Sequence, residues 1–319
     1  MTLPGPIDHA PLLPLLPESR VGTTTRAVPI HMGLSGAAVY AITTTRGEYI
    51  LRVAPGHALG RRWERQLEVQ RRAATHGIAP PIVHVDEGAH AVLSVRIAGG
   101  ALPAALADPA QRGAAIGGTV AALRALHALD PAGVDPFDVV AFTRELYASQ
   151  RARDGFPTWA SEGDALLDAV AAALARDPRA VPSHNDMNPG NVLWDGERAW
   201  LVDWEAAGLT HPFYDLAALT TFLALDQEGA LGLLALQEGQ PVTEAHAATF
   251  ALLRRLVALA AGCMFLRMSP AARVPATTRE ETPTLMACYA RMREGTLEMR
   301  HPEGQAAIAL ALLRAFAGP

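Results

Sequence analysis

Residues 181–208, VPSHNDMNPGNVLWDGERAWLVDWEAAG, constrain this chain more than any other stretch. Asp195-Gly196 is a turn signal between two apolar runs, 192–194 and 199–202, so the spacing predicts a β-hairpin. Asn191 stands just before the first strand and Asp203 just after the second. Both therefore fall at the open end of the hairpin, roughly opposite each other. An amide oxygen and a carboxylate placed there suit a hard cation such as Mg²⁺, with water and phosphate oxygens completing the shell. Asp186, five residues upstream in a loop containing Pro189 and Gly190, can direct a third carboxylate to the same place. Such a set meets the needs of phosphoryl transfer: two groups hold the metal and the third takes the proton of an attacking hydroxyl. Two other readings stand beside it. Asp and Asn are common turn residues with His184 a packing histidine, or His184 and Asp186 are ligands of a metal hydrolase. No second His-rich cluster is evident for the hydrolase.

The rest of the chain divides by pattern. Three segments within 21–53 are rich in Val, Ile, Thr and Tyr and read as strands, with the small-residue loop HMGLSGAA between the first two. Residues 60–76 have helical periodicity, with Trp63, Leu67 and Gln70 on one face, Gly77 as C-cap and Pro80-Pro81 barring continuation. Two short strands follow, in PIVHVD and AVLSVRI, and then a Gly99-Gly100 connector. Beyond it the chain reads as helical except for the hairpin. This is α+β order rather than βαβ alternation, and 319 residues suit two domains or two lobes. The expected boundary gives an N-terminal lobe of 1–97 and a C-terminal lobe of 98–319.

Composition narrows the chemistry. All 27 residues in the Lys+Arg total are arginine. Mechanisms needing a Schiff-base lysine, a lysine base or a P-loop lysine are excluded, although codon bias in a GC-rich genome explains the absence itself. Any phosphate here must be met by Arg, His, a metal or backbone N–H groups. Cys263 and Cys288 form no disulfide framework or zinc spacing and are expected as buried free thiols in a reducing cytoplasm. The N-terminus lacks a basic region, and no run approaches the ~18 apolar residues of a membrane span, Arg254 and Arg255 interrupting the most apolar one. Net charge is −5 without a basic tail, which argues against nucleic acid. Residues 1–100 carry 10 Arg against 7 Asp and Glu, whereas the remainder carries 17 Arg against 25, a division that suits an anionic co-substrate and a cationic one.

With these motifs the sequence resembles the choline kinase and aminoglycoside phosphotransferase superfamily of protein-kinase-like folds, from about residue 28 to 225. His184-Asn185-Asp186 followed by Asn191 is similar to its catalytic loop, Asp203-Trp204-Glu205 to its metal-binding segment, and Asp215 to the downstream aspartate that braces the loop. The resemblance implies a bilobal fold with a small β-rich N-lobe and a larger, mainly helical C-lobe. It implies Asp186 as catalytic base and Asn191 and Asp203 as Mg²⁺ ligands. In the N-lobe, Gly33-Leu34-Ser35-Gly36 would cover the phosphates, Ser35 and Gly36 donating to them. Arg52 occupies the third-strand position where many kinases carry lysine, and Glu64 or Glu68 would pair with it, although the register places Gln66 near that position. Adenine would lie against 94–97, bonded by backbone groups of Val95 and Ile97. His127 lies in a helix similar to one in these kinases and reads as core. Glu205, Tyr214, Phe222 and Phe265 are candidates for walls around a cationic acceptor. The expectation is a cytoplasmic, ATP- and Mg²⁺-dependent enzyme that phosphorylates a hydroxyl of a small metabolite of the choline, ethanolamine or thiamine kind. An aminoglycoside phosphotransferase and a catalytically silent nucleotide-binding pseudokinase are the alternatives. No nucleic-acid or membrane partner is expected, and the acceptor and oligomeric state are left open.

Overall fold

The computed structural model describes residues 10–30, 37–54, 60–269 and 278–318. The chain forms two compact units, the first made of Met1–Asp130 with Gly190–Ala207 and the second of Pro131–Pro189 with Gly208–Pro319. The expected boundary at residues 97 and 98 falls within the first unit.

The first unit opens with a 3₁₀ helix, Ala10–Leu15, and a single helical turn, α1 (Glu18–Val21). Its main sheet uses β1 (Thr24–Pro29), β2 (Ala38–Thr44), β3 (Gly47–Val53), β4 (Ile82–Asp86) and β5 (Ala91–Val95), in the antiparallel order β1-β2-β3-β5-β4. All five strands fall where the β-branched runs place them. Period-two alternation gives the sheet two different faces. Ile42, Leu51 and Leu93 pack with Leu12, Leu16 and Val21 of the N-terminal segment. On the other face Val92 packs with Trp63 and Leu67 of α2 (Gly60–Thr75), which ends at Gly77 with φ +69° as the sequence predicts. The N-terminal cover was not foreseen, because its prolines and short apolar runs carry neither helical nor strand periodicity.

A second sheet completes the unit. β6 (Gly100–Ala101) pairs with β8 (Val192–Trp194), which pairs with β9 (Ala199–Leu201), and α3 (Leu102–Ala107) and α4 (Arg112–His127) pack beside them. The predicted hairpin is present, and a four-residue Asp195–Arg198 connection replaces a two-residue turn. Asp195 Oδ1 accepts from the amides of Glu197 and Arg198, each at 2.8 Å, and Oδ2 accepts from Trp200 Nε1 at 2.7 Å. Trp194 is seated by two glycines. A Cβ on Gly118 would lie 2.5 Å from its ring, and one on Gly99 2.4 Å from its carbonyl oxygen.

Among its described residues the second unit is helical apart from β7 (Val181–Ser183) and β10 (Gly208–Thr210), an antiparallel pair the sequence did not reveal because each strand is three residues long. Its helices are α5 (Val139–Arg151), α6 (Gly163–Arg176), α7 (Tyr214–Phe222), α8 (Gln227–Glu238), α9 (Glu244–Met268), α10 (Leu285–Arg293) and α11 (Pro302–Ala317). The axis of the unit is α9, which packs on α5, α6, α7 and α11. This corrects the expectation that no apolar run is long enough to span a membrane. By length and composition α9 is, but 67% of its most apolar 18-residue window is buried inside the fold, as befits a core helix. Cys263 and Cys288 are free and buried, and burial pushes the Cys263 thiol up to about 12.

Candidate active site

In the first unit the third strand presents Arg52. Register pairs Leu51 with Leu93 and Arg52 with Val92, so Arg52 leaves the sheet on the face opposite the Leu51 core. It lines a cavity of about 550 Å³ together with Ser94, Val95, Ile97, Gly190 and Asp203, a size that suits a small-molecule ligand. The amide of Val95 donates to the Pro81 carbonyl at 2.9 Å, so a ligand meeting Val95 through its backbone is left the carbonyl. Ser35 and Gly36, with residues 31–34 of the small-residue loop, lie outside the described residues.

The hairpin carries Asn191 and Asp203. The Val202 amide donates to the Asn191 carbonyl at 2.9 Å, which sets Asn191 opposite Val202, one residue short of Asp203. Asp203 has φ +65°, a left-handed conformation that Asp tolerates better than most residues. Trp204 is buried, and its Nε1 donates to the Leu201 carbonyl at 3.0 Å, fixing the turn. Arg52 Nη2 lies 2.9 Å from Glu205 Oε2 and 3.2 Å from Asp203 Oδ1.

This corrects the expected partner of Arg52. Glu68 is paired with Arg72 one helical turn on, at 2.7 Å. Glu64 is exposed and, among the described residues, takes part in no ion pair. Gln66 is a buried polar residue of α2, with both amide atoms lacking hydrogen-bond partners. Sequence reasoning placed Glu205 with the acceptor and missed it as the partner of Arg52; the acidic spacing of Asp203 and Glu205 was the available signal.

Among the described residues no three His, Cys, Asp or Glu side chains cluster as a metal site. The hairpin nevertheless fits a hard cation. Asp203 Oδ1 is buried and has the 3.2 Å ion pair with Arg52 but no hydrogen bond of good geometry, and the nearby oxygens are of the carboxylate and amide type that magnesium prefers.

In the second unit the loop after β7 is pinned from beneath. Asp215, fully buried in the first turn of α7, accepts from the His184 amide at 3.0 Å through Oδ2 and from the Asn185 amide at 2.7 Å through Oδ1. Asn185 is held at φ +65°. His184 is buried, and its Nδ1 lies 3.3 Å from the Asp186 amide nitrogen, so the ring acts as an acceptor within the loop. Tyr214 is buried as well. Burial first, then the carboxylates of Asp215 and Asp186, push its phenol above the ordinary range and keep it protonated. Phe265 is core in α9, Phe222 is half-buried at the end of α7, and His127, in the first unit, is half-buried at the end of α4.

Residues 26–248 match the model of the APH phosphotransferase enzyme family. Protein LicA of Haemophilus influenzae is 31% identical over 75 residues, which is 22% of this chain and 22% of that protein, so the match spans about a fifth of the relative. A choline/ethanolamine kinase family protein from Mesorhizobium loti superposes with a TM-score of 0.67 at 22% identity, over 97% of this chain and 99% of that one. The aminoglycoside phosphotransferase APH(3'')-Id from Streptomyces rimosus, in complex with ADP and streptomycin, superposes with a TM-score of 0.55 at 19% identity, over 79% of this chain and 99% of that one. The family match covers more than half of the sequence, including the His184–Asn191 loop, the hairpin and Asp215: the chain belongs to the APH phosphotransferase enzyme family and has its protein-kinase-like fold.

Proposed function

We propose that this enzyme transfers the γ-phosphoryl group of ATP to a hydroxyl of a small, cationic metabolite of the choline or ethanolamine kind, with Asp186 as base. The observation that carries this reading is the pair of backbone amides bound by Asp215, which spends a buried carboxylate on fixing the loop that bears Asp186. In the step itself Asp186 accepts the acceptor's hydroxyl proton while that oxygen bonds to the γ-phosphorus. The bond to the β–γ bridging oxygen breaks, and ADP leaves with the electron pair. Asn191 and Asp203 would hold magnesium, which when bound supplies charge neutralisation on the phosphate oxygens. Arg52 offers five N–H donors, enough to hold a carboxylate and still grip phosphate.

A cationic acceptor is supported by the excess of acid in residues 101–319 and by the choline/ethanolamine kinase relative. The streptomycin-bound relative supports an aminoglycoside as the second reading. ATP consumption measured against choline, ethanolamine, thiamine, amino alcohols and aminoglycosides separates the two. Asp186→Asn should lower turnover by at least about a hundredfold, within the contribution of general-base catalysis. ADP binding, followed by calorimetry, should be retained. Unchanged turnover would exclude Asp186 as the base.

A further inference from the structure

Among the described residues, Arg52 is held without help from α2. Its side chain is about one-fifth exposed, and among the described residues both carboxylates that meet it come from the segment after β9. Glu68 is committed to Arg72, Glu64 faces solvent, and the buried polar side chain of Gln66 is a neutral amide. Asp203 is therefore asked to serve two cations. Its Oδ1 lies against Arg52, and under the function proposed above the same carboxylate ligates a divalent metal. Glu205 has the shorter of the two contacts, 2.9 Å against 3.2 Å.

We propose that Glu205 is a positioning residue for Arg52, retaining the guanidinium when a divalent cation claims Asp203, so that Arg52 and the metal are alternative occupants of one carboxylate. Arginine suits this arrangement better than lysine. A planar fork can keep one nitrogen on Glu205 while its remaining N–H groups turn to phosphate, whereas an ammonium offers a single point of charge. The coupling is reciprocal: whatever Arg52 gains from Asp203 is lost to metal binding.

The inference rests on the nucleotide and metal reading above, and the test separates the two. Mn²⁺ binding in the absence of nucleotide is titrated by electron paramagnetic resonance, and ADP binding in EDTA by calorimetry, for the wild type, Arg52→Gln, Glu205→Gln, Glu205→Asp and the double variant Arg52→Gln/Glu205→Gln. Circular dichroism confirms folding, and Arg52→Lys provides a charge-preserving alternative. Removing Arg52 frees Asp203, so Arg52→Gln should bind Mn²⁺ about 5-fold or more tightly than wild type. Glu205→Gln should weaken ADP binding in EDTA, Glu205→Asp should restore part of it, and the Glu205→Gln effect should vanish in the Arg52→Gln background. A Glu205→Gln effect on ADP or Mn²⁺ of equal size in both backgrounds would make Glu205 a direct ligand and overturn the proposal. Unchanged Mn²⁺ affinity in Arg52→Gln would overturn it too, with the enzyme's function left standing. A wild type that binds neither Mn²⁺ nor ADP would overturn both.

Discussion

Replacing Asp215 with Asn tests the bracing of the loop that bears Asp186 by the smallest change available. The side chain keeps its shape and one acceptor oxygen but loses its charge, and its new NH₂ must face a backbone N–H. The two amides now bound, at 3.0 and 2.7 Å, are those of His184 and Asn185, and the carboxylate is 0% exposed. A hydrogen bond to a charged group contributes about 1.5–3 kcal/mol, and a buried N–H left unpaired costs about 1–3 kcal/mol more. The expected loss is about 3 kcal/mol or more. For a unit of this size that lowers the melting temperature by roughly 6–12 °C, at about 2–4 °C per kcal/mol. Differential scanning calorimetry reads the shift, and a coupled assay for ADP release reads turnover, which should fall because Asn185 is no longer pinned in its left-handed conformation. Asp215→Ala leaves both amides unpaired and should melt no higher than Asp215→Asn. An Asp215→Asn protein melting within about 2 °C of wild type with full activity would refute the bracing argument.

Two further perturbations probe the scaffold. Gly118→Ala drives a methyl to 2.5 Å from the Trp194 ring, and the overpacking should cost about 1–3 kcal/mol in urea denaturation; a neutral result would mean that the seat of Trp194 is loose. His211 is buried, its Nε2 donating to Asp177 Oδ2 at 3.1 Å and its Nδ1 accepting from the Phe213 amide at 3.2 Å, which fixes one neutral tautomer. Burial holds its pKa below the ordinary 6.5, so the unfolded chain takes up a proton first and stability should decline as pH falls below 6.5. Arg179, aided by His211, keeps Asp177 ionised throughout that window, so His211→Gln should flatten the slope between pH 7 and pH 5 in chemical denaturation.

The legible parts of the sequence were those whose signals are local. The five strands of the main sheet follow β-branched runs, α2 follows a 3.6-residue period closed by Gly77, and the hairpin follows Asp195-Gly196. The bracing role of Asp215 was accessible through resemblance, because it joins residues 31 and 30 positions apart through side-chain–backbone bonds that leave no spacing pattern. The partner of Arg52 was misread for a related reason. Glu64 and Glu68 advertise themselves by helical spacing, but a carboxylate four residues from an arginine on the same helix is drawn to that arginine, and Glu68 goes to Arg72. Glu205 is 153 residues from Arg52, and tertiary register alone brings them together. β7 and β10 escaped notice because three residues are too few to show alternation.

The seat of Trp194 has a consequence for the order in which this protein is made. Gly99 and Gly118 leave the ribosome long before the hairpin that fills the space above them, and residues 131–189 must be synthesised in between. At ordinary elongation rates that interval is about 3 to 12 seconds. During it the nascent first unit exposes the groove meant for an indole, and β6 presents an edge whose partner strand does not yet exist. A chain stopped after residue 130 should therefore bind a hydrophobic dye that the full-length protein excludes, and adding the hairpin as a separate peptide should compete the dye away. Equal dye binding by the two proteins would show that the groove closes without its hairpin.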